Sequence, residues 1–195
     1  MAINRQPILK KCRTLGIDPT VLGVNKKSNR GPRPNANQKP TEYAIQLREK
    51  QKAKFVYGIM EKQFVKLYEE ATRKDGVTGE NLLQYLERRL DNVVYRLGFV
   101  KTRRQARQVV SHGHILVNGR RVDVASYRVK AGDIVSVLEA SRNVALIKDA
   151  IAEATAPTWL ELDKTNFTGK VIQNPGRDAI DFELNEALIV EFYSR

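Results

Sequence analysis

This 195-residue chain has one cysteine, Cys12, and two histidines, His112 and His114. A single thiol excludes an internal disulfide and fits a reducing compartment. A structural zinc site draws on about four ligands and a catalytic one on about three, so His-Gly-His with a cysteine in a distant segment falls short of a metal centre. No stretch approaches the ~18 apolar residues of a membrane span. The start, MAINRQPILKK, lacks the apolar core of a secretory signal, so a cytoplasmic protein with no membrane partner is expected. The phosphate-cradling, dinucleotide-binding, zincin and nucleophile-elbow motifs are also missing, and with them any specific case for an enzyme or a cofactor. The lone tryptophan, Trp159, reads most simply as a packing residue.

What the chain does have is positive charge, unevenly placed. Lysine plus arginine total 34 against 22 acidic residues, for a net charge of +12. Residues 1–54 carry 13 basic and 3 acidic side chains, residues 86–130 carry 11 and 3, and residues 139–195 carry 6 and 10. Two basic blocks followed by an acidic tail point to a polyanionic partner, nucleic acid before all others.

Residues 24–40, VNKKSNRGPRPNANQKP, have no apolar period and read as a flexible basic arm bearing Lys26, Lys27, Arg30 and Arg33. From Thr41 the spacing of Tyr43, Leu47, Phe55, Ile59, Phe64 and Leu67 predicts amphipathic helices, broken at Asp75-Gly76. A further helix capped at Thr78 carries Leu86, Leu90, Val93, Val94 and Leu97 as one apolar stripe as far as Gly98. Thr102 and Gln105 form a capping-box signature for a short helix that Gly113 ends. Asn118-Gly119 between Ile115–Val117 and Arg121–Val124 predicts a hairpin, and a turn at residues 130–133 leads into a strand, Ile134–Val137. Strand-prone segments follow near Trp159–Leu162 and Lys170–Ile172. The fold class is therefore α+β, with two small helices on a twisted antiparallel sheet.

Within that module Arg89, Asn92 and Arg96 recur at i, i+3 and i+7 and are expected to project together beside the apolar stripe. On the second helix Arg103 pairs with Arg107, and Arg104 with Gln108 and Ser111. The like charges at 103 and 107 would repel in an isolated helix, and a phosphate between them would reverse that sign. Arg120, Arg121, Arg128 and Lys130 follow the two turns. Asp91, inside the arginine-rich helix, is expected in a salt bridge.

The run YLERRLDNVVYRLGFVKTRRQARQVVSHGHILVNGRRVDVASYRVKAGDIVSV resembles the RNA-binding module shared by small-subunit ribosomal protein four and several RNA-modifying enzymes and synthetases. The flanks YAIQLREKQKAKFVYGIMEKQF and WLELDKTNFTGKV…NEALIVEFYSR resemble the ribosomal family itself. That resemblance implies a mostly helical domain over 41–85 to which residues 183–195 return, an inserted RNA-binding domain over 86–182 with its core at 86–138, and a basic N-terminal arm over 1–40. It implies binding to the five-way junction in the 5′ domain of small-subunit rRNA early in assembly. It also implies proximity to ribosomal protein five and to mRNA at its entrance channel, an influence on decoding accuracy, and repression of its own operon mRNA in some members. Carried onto matching positions, the rRNA-facing set is Arg89, Asn92, Arg96, Thr102, Arg103, Arg104, Arg107, His112, His114, Asn118, Arg120, Arg121 and Arg128. Lys130 and the arm's Lys26, Lys27, Arg30 and Arg33 join it on charge. Some relatives bind zinc through N-terminal cysteines; with Cys12 alone, this chain looks like the zinc-free, bacterial type. Neither a metal nor a homo-oligomer is expected.

Overall fold

The computed structural model describes residues 6–26, 30 and 39–194. The chain divides into two compact units, one of Met1–Leu83 with Ile180–Arg195, the other of Gln84–Ala179.

The first unit is helical: α1 (Ile8–Leu15), α2 (Glu42–Tyr57), α3 (Glu61–Arg73), the start of α4 (Thr78–Glu87), and the C-terminal helix of the chain, Glu186–Tyr193. Part of the segment expected as an arm is thus folded. Helix α1 buries Cys12 and Leu15 with Ile17, Phe55 and Val56, and Phe182 packs against this cluster. Cys12 behaves here as a small apolar residue; burial, with Asp18 nearby, pushes its thiol above the usual range. Thr41 caps α2, its hydroxyl accepting from the Ala44 N–H at 3.3 Å. Asn185 likewise caps the C-terminal helix, accepting from Ala187 and Leu188. That helix lies against α2, with the Tyr193 ring stacked on Tyr68 at 4.7 Å and Lys50 over Phe192 at 4.2 Å.

The second unit is the α+β part. After α4 come α5 (Leu90–Arg96) and α6 (Arg103–Ser111), then β1 (Ile115–Val117), β2 (Arg120–Arg121), β3 (Ile134–Val137), α7 (Ala145–Ala152), β4 (Leu160–Asp163) and β5 (Thr168–Val171). The C-terminal helix is therefore α8. The strands form one antiparallel sheet in the order β2-β1-β3-β5-β4, so the two strand-prone segments of the acidic tail complete the sheet begun by the basic block. Strand alternation turns Ile115, Val117, Val135, Val137, Leu160 and Val171 into a common core with Leu90, Val93, Val94, Leu97, Ala106, Val109 and Val110 of the helices. Trp159 is 1% exposed in that core. Gly169 is required by close approach: a Cβ there would come within 2.3 Å of the Leu97 side chain.

Two local readings are corrected. The single helix expected from Thr78 to Gly98 is two helices, because Arg89 adopts an extended conformation (φ −65°, ψ 138°) and bridges Arg128. Residues 125–129 supply the hydrogen bonds a continuous helix would have made: Leu90 N–H donates to Tyr127 O (2.8 Å), Asp91 N–H to Ala125 O (3.2 Å), and Val129 N–H to Arg88 O (3.0 Å). The second hairpin strand also ends after Arg121 rather than reaching Val124, since the following segment pairs with the α4–α5 junction instead.

Candidate nucleic-acid interface

The seam between α5 and α6 is built from charge. Asp91, 4% exposed, accepts from Nε and Nη2 of Arg89 (3.1 and 2.9 Å) and from Arg107 (2.9 and 2.6 Å). Glu87, 1% exposed, accepts from Arg96 (3.1 and 2.9 Å) and from the Asn92 amide (2.8 Å). The Asn92 oxygen in turn accepts from Arg103 (2.9 Å), whose guanidinium stacks on Tyr95 at 4.3 Å. Every carboxylate in this seam is met by charged or amide donors, the condition under which buried ions are tolerated.

The expectation that Arg89, Asn92 and Arg96 project together onto an outward stripe is therefore corrected. They do share a direction, but it is inward, because Glu87 and Asp91 draw them into the module. Arg103 is buried as well. Arg103 and Arg107 each have a partner within the protein, the Asn92 amide oxygen and the Asp91 carboxylate. The salt bridge expected of Asp91 is present; the role of Glu87 was not visible in the sequence, although its spacing of four from Asp91 across the Arg88-Arg89 break is a signal in hindsight.

Other predicted residues organise the loops. The Thr102 hydroxyl caps α6 by accepting from Gln105 N–H at 3.2 Å, while the reciprocal half of the box is absent, the Gln105 side-chain oxygen being buried without a partner. Gly113 ends α6 with φ +73° in a paired arrangement, its N–H donating to Val110 O and that of His114 to Val109 O. Arg121 lies over Gly113 and donates to the His112 carbonyl at 3.1 Å, placing a cation at the C-terminal end of the helix. His114 is bonded to Ser141 through Nδ1 (2.8 Å), and the two imidazole centroids lie 6.1 Å apart. Asn118 and Gly119 both have positive φ (50° and 77°), as a tight hairpin turn requires. Asn118 also ties this turn to the next one, donating to Asp133 at 2.9 Å and accepting from Ile134 N–H at 2.9 Å. Arg128 stacks on the buried Tyr85 ring at 4.4 Å.

The outward-facing part of the predicted set is thus Arg104, His112, Asn118, Arg120, Arg121 and Lys130, with Thr102, Arg107, His114 and Arg128 partly exposed. Of the three acids in residues 86–130, two are buried in the seam and only Asp123 is exposed, so the exposed charge of this block is cationic but for that one carboxylate. In the first unit, Lys26 and Arg30 are exposed; Lys27 and Arg33 lie outside the described residues. Among the described residues, no group of three or more metal-ligating side chains converges, and no helix is long and apolar enough to cross a membrane.

Two short helices on an antiparallel sheet, with acids drawn inward and cations left at the rim, define an RNA-binding module. Residues 88–135 match the S4 domain, an RNA-binding domain, and residues 4–87 match the ribosomal protein S4/S9 N-terminal domain. The chain is 74% identical over 195 residues to small ribosomal subunit protein uS4 of Fusobacterium nucleatum, and 52% identical over 199 residues to that of Lachnospira eligens, each match covering 100% of both chains. The chain belongs to the small ribosomal subunit protein uS4 family, whose members are structural proteins and not enzymes.

Proposed function

We propose that this chain is a primary rRNA-binding protein of the small ribosomal subunit, engaging the junction RNA of the 5′ domain early and nucleating assembly around it. The observation that carries this reading is the segregation of charge in residues 86–130: Glu87 and Asp91 are buried against arginines, and the exposed side chains that remain are cationic apart from Asp123. Such a surface gains affinity by releasing counterions from phosphates, while a seam locked by ion pairs holds those cations in one arrangement that suits RNA shape. The family resemblance adds ribosomal protein five and the mRNA entrance channel as neighbours, a contribution to decoding accuracy, and the chain's own operon mRNA as a second RNA target.

The test is binding of the full chain to a 5′-domain rRNA fragment across a salt series. Arg104→Ala with Arg120→Ala is expected to weaken binding and to lower the salt slope by about one to two units. An unchanged affinity and slope would remove this rim from the RNA. Retention of the protein on small subunits washed at high salt tests the assembly role, and quantitative release into the soluble fraction would refute it.

A further inference from the structure

In the second unit Tyr127 is the one exposed tyrosine, phenylalanine or tryptophan; Tyr85, Phe99 and Trp159 are buried, and Tyr95 and Phe167 are half-buried. Tyr127 is 39% exposed, on a loop that is not loose. Tyr127 O accepts from Leu90 N–H at 2.8 Å, Tyr127 N–H donates to Val124 O at 3.0 Å, and Ala125 and Val129 on either side are buried in the core. Three backbone hydrogen bonds, from Leu90 N–H to Tyr127 O, Asp91 N–H to Ala125 O and Val129 N–H to Arg88 O, pin the loop to residues 88–91, yet Tyr127 stays exposed.

The chain around it is mostly basic, Asp123 being the one exposed acid of residues 86–130. Arg128 follows Tyr127 directly with its own guanidinium braced on Tyr85, and exposed Lys130 comes two residues later. An exposed aromatic residue on a backbone-pinned loop of a basic module combines the two elements that hold unpaired nucleotides: a π surface for the base and, in the module's exposed arginines and lysines, positive charge for the neighbouring phosphates. A paired base in an A-form helix has both faces covered and offers nothing to such a ring.

We infer that Tyr127 is a stacking residue for an unpaired base of the bound RNA, a proposal that rests on the rRNA-binding reading above. The bulk of the rim meets phosphates and is indifferent to pairing; Tyr127 makes the module selective for RNA with a base turned out of its helix.

The experiment measures binding of full-length parent, Tyr127→Ala, Tyr127→Leu, Tyr127→Phe and Tyr127→Trp to a 5′-domain rRNA fragment at several salt concentrations, with urea midpoints recorded for each. Alanine and leucine are expected to lose about tenfold in affinity with an unchanged salt slope, while phenylalanine and tryptophan stay within about twofold of the parent. Leucine keeps apolar bulk without a π face, so its loss at a parental midpoint separates stacking from folding. Full affinity in the alanine or leucine variant overturns the proposal, as does an equal loss with phenylalanine, which would assign the effect to the hydroxyl. If the parent itself shows no salt-dependent binding, the rRNA reading falls; if the parent binds and the alanine variant matches it, only the stacking role falls.

Discussion

The arginines of the α5–α6 seam and those of the hairpin rim are the same residue type within one short segment, but they do opposite work. Arg103 and Arg107 tie α6 to Asn92 and Asp91 of α5, Arg96 ties α5 to Glu87 of α4, and Arg89 pairs with Asp91 at the start of α5. Arg104 and Arg120 face solvent. What separates the two groups is the location of the acids. Glu87 and Asp91 sit at the break between α4 and α5, so cations within reach of that break are drawn inward and the rest remain outside. Net charge counted along the chain averages over this division.

The comparison breaks most visibly at Asp91. Asp91→Ala strands Arg89 and Arg107 in the seam, and removing one partner of a buried ionic group costs about 3–5 kcal/mol, read as a large drop in the urea midpoint. A parental midpoint would mean that the seam arginines are solvated and that the division is false. A smaller effect is expected from glycines of equal backbone geometry on the two sides. Gly98, behind the seam, has φ +74° and an added Cβ would lie 2.3 Å from the Ala154 Cβ, whereas Gly119 at the rim has φ +77° and open space. Alanine at 119 is expected to cost about 1 kcal/mol for backbone strain alone, and alanine at 98 about 1–3 kcal/mol more for overpacking. Equal thermal shifts for the two variants would show that the packing of Gly98 on Ala154 yields as easily as the open turn at Gly119.

At the rim itself, Arg104→Ala, Arg120→Ala and Lys130→Ala together are expected to leave the urea midpoint within about 0.5 kcal/mol of the parent while RNA affinity falls. Destabilisation comparable to that of Asp91→Ala would place these cations in the seam's role. The smallest effect concerns a half-exposed carboxylate in the first unit. Burial raises Glu61, but hydrogen bonds from Lys54, Lys50 and Tyr193 outweigh it and bring it down to about 2. Its folded value lies below its unfolded one, so its contribution is present above about pH 4.5 and is lost as pH falls toward 2. Because its side chain is 44% exposed, solvent screening keeps that contribution small. Glu61→Gln should flatten the acid limb of the stability profile slightly over that window; an unchanged profile would show that the lysines do not stabilise it.

Much of the fold is legible in residue order because its signals are local. Asn118-Gly119 requires two positive φ values, Gly113 ends α6 for the same reason, Thr102 caps within three residues, and the alternation of Ile134–Val137 names a half-buried strand without any partner. The break at Arg89 was hidden because leucine and valine continue the helical stripe straight across it, and what interrupts the helix is a loop some 38 residues downstream, Tyr127 being bonded to Leu90. The inward turn of Arg89, Asn92 and Arg96 was hidden for a related reason: helical spacing shows that three side chains share a face but not whether that face meets solvent or another helix. Tyr127 raised no signal, since a single aromatic in a strand-like segment is ordinarily core.

By itself the sequence determined the α+β class, the caps and turns, the excess of cations and the family. Those follow from local backbone preference, composition and a resemblance that spans the chain. Tertiary structure decided which cations became struts and which became surface, because a guanidinium's role depends on whether a carboxylate from elsewhere in the fold comes within hydrogen-bonding distance.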